Sequence, residues 1–278
     1  MEQNEHLELG KINRLKIDRF TSPGAYCVAK DDQDVLLPNQ YLLENMKEGD
    51  LVDVFLYTDS QDRLVATTQK PLAMLDEMAF FEVVDITPFG AFVDWGLPKD
   101  LLVPKKLQKT PFVLGEKRFL KVIYDEKTHR LVATEKLGDF LKKRVKGLKP
   151  YQEVDIVIFA KTPLGFKTII NDTYEGLLYH NEIFEEIKVG DSKKAYIKQI
   201  RADGKIDLTL KKAGQNSANK VLEILQKNNG MMPYNYKSDA KLIRDTFGLS
   251  KKDFKRSLTT LLEKGKIEVK DTGIYLVS

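Results

Sequence analysis

Short apolar runs that are rich in β-branched and aromatic residues recur as far as residue 210 and predict β-strands. Three prominent runs occupy residues 51–56, 119–124 and 154–159. Turn-forming residues bound the runs, as is typical of strands joined by tight connections. No long amphipathic helix separates these strands, and this excludes a three-layer α/β fold.

The same module is repeated three times in this part of the chain. Three short segments recur in the same order and at nearly the same spacing, which indicates an internal repeat. They are residues 22–26, 35–38 and 63–68 in the first copy, 87–92, 101–104 and 130–135 in the second, and 162–166, 176–179 and 205–210 in the third. About five short strands in about 65 residues favour a small closed barrel, because closure leaves no exposed sheet edge.

From Asn216 onward the apolar spacing becomes helical. The first helix is expected to stop at Gly230, and Ser238 is the predicted N-cap of a second helix that ends at Gly248. Ser250 and Asp253 form a capping-box pattern at the start of a third helix. The third helix is expected to direct four apolar side chains to the core: Phe254, Leu258, Leu261 and Leu262.

Two short strands are predicted to follow, at 266–270 and 273–277. Helices followed by a two-stranded ribbon in this order predict a winged helix-turn-helix. The predicted fold is therefore mostly β with an α+β tail, three tandem five-stranded OB-type barrels followed by a winged helix domain. The predicted divisions are barrels at 1–70, 71–138 and 150–214, a basic linker at 139–149 and the winged helix at 215–278.

Charge is spread unevenly along the chain. The net formal charge is +4, but residues 1–70 carry −5 and residues 215–278 carry +5. Lysine and arginine neutralise phosphates and release counterions from a nucleic acid. The basic tail is thus a candidate polyanion site, and the acidic first quarter is a poor one.

The modules resemble the S1 type of RNA-binding OB barrel, and the second copy carries the clearest match, at residues 87–94, Gly96 and 100–104. The resemblance implies that Phe89 and Phe92 stack on bases. Strand alternation independently places Phe92 outward if its neighbours Ala91 and Val93 face the core. Packing of Phe92 against a neighbouring repeat is the alternative.

The other copies depart from this motif. Repeat one keeps Gly24 and Tyr26 but lacks the first aromatic residue, and repeat three has Leu164 and Lys167 at the two aromatic positions. Repeat one can therefore be purely structural or meet a protein partner.

The candidate RNA-binding residues combine aromatic side chains, which stack on bases, with cations that neutralise phosphates. In repeat two they are Phe89, Phe92, Lys99, Lys105, Lys121 and Arg130; in the linker Lys142, Lys143 and Arg144; in repeat three Lys167, Tyr179, His180, Lys198, Arg201 and Lys205; and in the third tail helix Lys251, Lys252, Lys255 and Arg256. The linker cations can instead form a solvated connection.

Three S1-like repeats followed by one winged helix resemble the CvfB family, conserved virulence factor B. The resemblance covers the whole chain and implies a bacterial, cytoplasmic RNA-binding protein that regulates gene expression. We therefore expect a non-enzymatic binder of single-stranded RNA. The alternative is a winged-helix DNA-binding transcriptional regulator whose barrels bind protein.

The sequence gives no sign of catalysis, and we expect no catalytic residue, metal or cofactor. It has no phosphate-binding loop or dinucleotide fingerprint, and His6, His129 and His180 are too scattered for a zinc motif. Cys27 has no partner cysteine. No apolar run approaches the roughly 20 residues of a membrane span, and the acidic start argues against a secretory signal.

Overall fold

The computed structural model describes residues 2–183, 185–210 and 215–277, with side chains in the first tail helix from residue 217. The chain forms two compact units, Met1–Leu141 and Lys142–Ser278. The first unit contains repeats one and two, and the second contains repeat three and the tail.

Repeat one is a closed barrel of five strands. Its strands are β1 (Ile12–Thr21), β2 (Gly24–Val28), β3 (Asp34–Pro38), β4 (Leu51–Thr58) and β5 (Leu64–Thr67). The order around the barrel is β1-β2-β3-β5-β4, and the parallel pairing of β3 with β5 closes it. Alternate residues of β1, such as Leu15 and Ile17, are fully buried in the barrel core.

Repeat two has the same cyclic strand order but a more open sheet. Its strands are β6 (Met78–Thr87), β7 (Gly90–Asp94), β8 (Leu101–Pro104), β9 (Lys117–Asp125) and β10 (Arg130–Thr134). The hydrogen-bonded order is β10-β9-β6-β7-β8, so the sheet opens between β8 and β10, which still lie side by side. The opening falls where β3 and β5 close repeat one.

The two repeats of the first unit share apolar packing. Phe55 of β4 is fully buried in the core of repeat two, where its ring meets Trp95 edge to face at 5.8 Å between centroids. Tyr57 and Val65 of repeat one join the same cluster. Burial of these large side chains holds one barrel against the other.

Repeat three is again a closed barrel, with the order β11-β12-β13-β15-β14. Its strands are β11 (Glu153–Thr162), β12 (Gly165–Ile170), β13 (Tyr174–Tyr179), β14 (Ser192–Ile200) and β15 (Ile206–Thr209). Val145 and Leu148 of the segment predicted as a linker pack against this barrel's core. That segment therefore runs along the barrel.

The tail has the order expected of a winged helix. It contains α1 (Gln215–Lys227), β16 (Met231–Met232), α2 (Ala240–Phe247), α3 (Lys251–Glu263), β17 (Ile267–Lys270) and β18 (Gly273–Leu276). β18 lies between β16 and β17. The mostly β fold with a winged-helix tail is confirmed, and β16 is a further strand that the sequence pattern does not predict. The predicted division at 214/215 adjoins residues 211–214, which lie outside the described ranges.

Two details of the tail differ from the prediction. Asp239, and not Ser238, caps α2, because its carboxylate accepts hydrogen bonds from the backbone N–H groups of Lys241 and Leu242. Ser238 instead accepts from the N–H of Asn235 in the preceding turn. Leu262 is exposed, because the buried face of α3 follows Phe254, Leu258 and Leu261 and stops there.

Gly248 and Ser250 act as predicted. Gly248 has a φ of 59° at the C-terminus of α2, the left-handed conformation that favours glycine. Ser250 Oγ accepts from the N–H of Asp253 at 3.1 Å. Among the helices of the described residues, none is long and apolar enough to cross a membrane.

Candidate nucleic-acid interface

Two phenylalanine rings form an aromatic pair on the outer surface of repeat two. The rings of Phe89 and Phe92 meet edge to face, 6.1 Å apart at their centroids. Phe92 points outward from β7 because its neighbours Ala91 and Val93 are buried in the core. Phe89 lies in the β6–β7 turn and is 60% exposed. The predicted outward orientation of Phe92 is confirmed.

A close backbone approach holds this turn in place. A Cβ added to Gly90 would lie 2.5 Å from the carbonyl oxygen of Val103, so β7 and β8 approach closely at a point that tolerates only glycine without a shift. Thr87 Oγ1 donates to the Gly90 carbonyl at 2.9 Å, and Lys105 N–H donates to the Phe89 carbonyl at 2.9 Å. These contacts fix the turn from both sides and present the Phe89 ring to solvent.

The aromatic pair opens onto a cavity between repeats one and two, which we call the inter-repeat cavity. Its volume is about 490 Å³. Its walls include the two rings, cations of repeat two, and the end of β4 with the β4–β5 loop of repeat one. Among the lining residues are Phe89, Phe92, Lys99, Lys106, Arg130, Tyr57, Ser60 and Asp62. A flat apolar surface beside cations is the combination that accepts a base together with its phosphate.

Carboxylates also line the inter-repeat cavity. Most of the Asp100 residue is in solvent, but its carboxyl group is partly desolvated. This desolvation, followed by the negative charges of Asp94 and Asp85, raises the pKa of that carboxyl group. Asp125 is another lining residue, and its pKa is lowered chiefly by a hydrogen bond from the Lys127 N–H. The cavity is thus not uniformly basic, and its aromatic wall is its clearest recognition element.

Lys99 and Arg130 both reach the carboxylate of Asp62 in repeat one. Lys99 Nζ lies 3.2 Å from Asp62 Oδ1, and Arg130 donates to Asp62 Oδ2. Lys99 also donates to the Asp59 carbonyl at 2.6 Å. Both cations are predicted site residues, but the sequence carries no signal for this partner, because Asp62 belongs to another repeat.

Lys121 does not line the inter-repeat cavity, and its surroundings argue against the prediction that it contacts RNA. The side chain is buried, its ammonium donates to the Asp76 carbonyl, and the Asp76 carboxylate lies 3.3 Å away. The Phe140 ring lies 5.5 Å from the ammonium on the outer side. These neighbours cover a strand position that alternation alone would leave open. Lys105, in contrast, is exposed at the start of the short helix that follows β8.

The three repeats present different surfaces at the position of Phe92. A β-bulge interrupts the first strand of each barrel at the same place, and the residues that face each other across it are Arg19 and Tyr26, Asp85 and Phe92, and Ala160 and Lys167. In repeat one the Arg19 guanidinium lies 4.2 Å from the Tyr26 ring centroid and covers that ring. The residue at the same place in repeat two is an aspartate, which has no cationic group to lie over the phenylalanine ring.

Most predicted cations of repeat three already face carboxylates. Lys167 pairs with Glu175 at 2.9 Å, and Lys205 with Asp203 at 3.4 Å. Lys198 pairs with Glu182 in the same way. Each pairing reduces the charge that the side chain can offer to phosphate.

The aromatic and histidine candidates of repeat three are bound to neighbours within the barrel. Arg201 holds Asp207 through two hydrogen bonds of 2.7 and 3.0 Å, which raise the pKa of the guanidinium, and it also donates to the Tyr179 hydroxyl. His180 Nε2 lies 3.2 Å from the Thr162 carbonyl, and its ring meets Phe166 edge to face. Repeat three has no described counterpart of the exposed aromatic pair.

The basic segment before repeat three leaves its cations in solvent. Lys142, Lys143 and Arg144 are exposed, and within the described ranges none of them forms an ion pair. The backbone N–H of Lys142 donates to the Thr173 carbonyl at 3.0 Å, which ties the segment to the barrel. The three cations are therefore held on a folded surface.

The tail helix α3 has two kinds of cation. Lys252 and Lys255 are exposed and have no ion-pair partner among the described side chains. Arg256 lies over the Tyr151 ring of repeat three at 5.0 Å and is 4.0 Å from Asp253. Lys251 Nζ approaches the Lys237 carbonyl at 3.4 Å.

The described residues contain no group of three or more His, Cys, Asp or Glu side chains that could hold a metal ion. Cys27 is buried in the core of repeat one, and burial raises the pKa of its thiol to about 11. Such a thiol stays protonated at neutral pH and makes a poor nucleophile.

Two family models match the chain. Residues 9–69 match the S1 domain, and residues 219–276 match the CvfB-like winged helix domain. The S1 match falls on repeat one, whereas the sequence motif is clearest in repeat two. Together the two matched segments cover repeat one and the tail.

Two curated proteins resemble the chain over nearly its full length. The chain is 29% identical to YitL of Bacillus subtilis, over 98% of this chain and 95% of that protein. It is 24% identical to conserved virulence factor B of Staphylococcus saprophyticus, over 98% of both. The crystal structure of a multidomain protein with nucleic acid binding domains from Streptococcus pneumoniae is 24% identical, over 97% of this chain and 98% of that chain, with a TM-score of 0.43.

Proposed function

We propose that this chain binds single-stranded RNA and acts without catalysis. Its S1 and CvfB-like winged helix domains support its place in the CvfB family and its binding of nucleic acid. Its role would be post-transcriptional control of gene expression. The cytoplasmic location that the family resemblance implies stays a prediction.

The observation that carries this proposal is the Phe89–Phe92 pair at the mouth of the inter-repeat cavity. Unstacked bases gain about 1–3 kcal/mol each from an aromatic platform, and every base offers a flat face. Bases in a duplex are already stacked on each other, so a side-chain platform favours single strands. The platform thus supports a preference for single-stranded RNA over duplex DNA.

Phosphate contacts would come from cations that are free to move toward the ligand. Lys105 and Lys106 flank the aromatic pair, and the exposed segment around Lys143 provides a second basic surface. Lys252 and Lys255 of α3 provide a third. The paired cations of repeat three would contribute less, because a phosphate must first displace their carboxylate partners.

The direct test is a set of anisotropy titrations with labelled single-stranded RNA and with duplex DNA of matched sequence, each in a salt series. We expect tighter binding of the RNA and a steep fall of affinity with salt. Equal or tighter binding of the duplex would reject the RNA proposal in favour of DNA.

A winged-helix DNA-binding function remains the second candidate because Lys252 and Lys255 of α3 are exposed and unpaired among the described residues. A recognition helix with such charges can enter a major groove. The position of Arg256 over Tyr151 argues against it, since this contact places repeat three beside one face of the helix. If the duplex DNA binds more tightly than the RNA, we would propose instead that the winged helix binds DNA and that the barrels bind protein.

A further inference from the structure

Two cations of repeat two converge on a single carboxylate of repeat one inside the inter-repeat cavity. Lys99 and Arg130 each reach a different oxygen of Asp62, and the three residues line the cavity together with the aromatic pair. A site where an ammonium and a guanidinium meet around one anion also suits a phosphate, which offers oxygens in a similar arrangement.

We propose that Lys99 and Arg130 form a phosphate subsite and that Asp62 occupies it when no nucleic acid is bound. This proposal rests on the proposed RNA-binding function, because the incoming phosphate belongs to the strand whose bases stack on Phe89 and Phe92. Repeat one then acts as an internal competitor that lowers the affinity of repeat two for any weakly stacking polyanion.

Displacement of Asp62 requires only a side-chain movement. Asp62, Lys99 and Arg130 are all partly exposed to solvent, and ion pairs in such positions contribute little to stability. The backbone of the loop is held by its own hydrogen bonds, from Asp59 N–H to the Arg63 carbonyl and from Asp62 N–H to the Asp59 carbonyl. The apolar packing of Phe55 against Trp95 joins the two repeats independently of Asp62.

The competition predicts a gain of affinity when the carboxylate is neutralised. The variant Asp62→Asn keeps the shape of the side chain and tolerates the local backbone, since φ is 60° and asparagine adopts this conformation readily. We expect about two- to tenfold tighter binding of a short labelled oligouridylate at low salt, the range that one or two exposed ion pairs would give. The gain should shrink as salt rises.

A matched control is available in the same repeat. Asp32 also has a positive φ, 64°, forms no ion pair among the described side chains and does not line the cavity. Asp32→Asn therefore removes the same charge from repeat one without freeing Lys99 or Arg130, and we expect nearly wild-type affinity. Thermal unfolding of both variants reports whether either loses its fold.

A second variant separates competition from general electrostatics. In an Arg130→Gln background, Asp62→Asn should give a smaller gain, because one of the two freed cations is missing. An undiminished gain in that background, or equal affinities of Asp62→Asn and Asp32→Asn, would overturn the subsite.

Titration with inorganic tripolyphosphate distinguishes this proposal from the proposed function. Tripolyphosphate cannot stack, so tighter binding by Asp62→Asn than by Asp32→Asn supports the subsite even if oligouridylate binds no variant and the RNA proposal fails. Conversely, if oligouridylate binds through Phe92 but neither ligand distinguishes the two aspartate variants, the subsite fails and the RNA proposal stands.

Discussion

In repeats one and two, the residue that faces the outer aromatic ring across the β-bulge differs in charge. Tyr26 and Phe92 leave their barrels at the same strand position, but Arg19 lies over the tyrosine ring whereas Asp85 faces the phenylalanine. A guanidinium on an aromatic face occupies the surface that a base would use. The aromatic residue in repeat one is thus less available than its sequence position indicates.

The first prediction concerns the aromatic platform. Phe92→Ala should weaken binding of single-stranded RNA by about 1–3 kcal/mol, the loss expected for one stacking partner. The fold should survive, because Phe92 lies outside the barrel core. Anisotropy titrations measure the change, and Tyr26→Ala, the same position in repeat one, serves as the control. Loss of thermal stability without loss of affinity would make Phe92 a packing residue.

The second prediction tests the close approach that fixes the aromatic turn. Gly90→Ala should lower the free energy of unfolding by about 1–3 kcal/mol, since its Cβ would collide with the Val103 carbonyl. Gly138→Ala is the control, because no atom lies within 4 Å of the added carbon. Chemical denaturation of both variants gives the comparison. Equal stability would show that β7 and β8 can separate freely.

For single residues, the sequence predicts the orientation of a side chain where that orientation depends on its neighbours in the same strand. The outward position of Phe92 follows from the buried residues on either side of it in the strand. Lys121 lies between Leu120 and Val122 in the same way, but Asp76 and Phe140 cover it from elsewhere in the chain. The sequence around Lys121 does not indicate that these distant residues bury it. Strand alternation alone therefore predicts, wrongly, that its side chain lies on the surface.

Helix α3 is the element in which packing and charge are most clearly separated. Phe254 and Leu258 are fully buried, while Lys252 and Lys255 extend into solvent on other faces of the helix. Asp253 in the first turn suits the positive end of the helix dipole. Removal of the two lysines should therefore change binding and leave folding intact.

The third prediction measures the charge that α3 contributes. The double variant Lys252→Gln/Lys255→Gln should weaken binding of all RNA sequences alike and flatten the salt slope by roughly 0.7 for each phosphate that is no longer neutralised. The control is Lys237→Gln/Lys270→Gln, which removes two cations that already face Asp271 and Glu268. An unchanged slope in the first variant would show that α3 does not touch phosphate.

The elements of the tail are predictable to within a few residues because caps and apolar spacing are local. The predicted start of α2 is wrong by one residue where Ser238 and Asp239 stand side by side, since both are good caps and the structure decides between them. The two-residue strand β16 has too little sequence to show a period. It forms because its backbone pairs with the edge of β18.

On the scale of the whole chain, the sequence repeat predicts the three barrels but does not predict the contacts between them. The three copies of the sequence motif predict three similar sheets, and the structure contains them. Nothing in one copy indicates that Phe55 of repeat one completes the core of repeat two, or that Asp62 reaches its cations. The candidate site is consequently shared by two repeats, although every stacking residue belongs to one.

The last prediction follows from this shared site and concerns the path of RNA across the first unit. Ultraviolet cross-linking with mass spectrometry should give adducts at Phe89 and Phe92, and in repeat one only along the loop around Ser60 that lines the cavity. No adducts are expected at Tyr26, which Arg19 covers, or at Tyr41, which is buried. Asp18 and Asp34 each pair with Arg19 at 2.8 Å, so two carboxylates face one guanidinium beside Tyr26. The net negative charge would repel a phosphate chain over a Debye length of about 8–10 Å. Adducts concentrated at the two tyrosines, with none at the phenylalanines, would move the RNA to repeat one and leave the inter-repeat cavity without its proposed ligand.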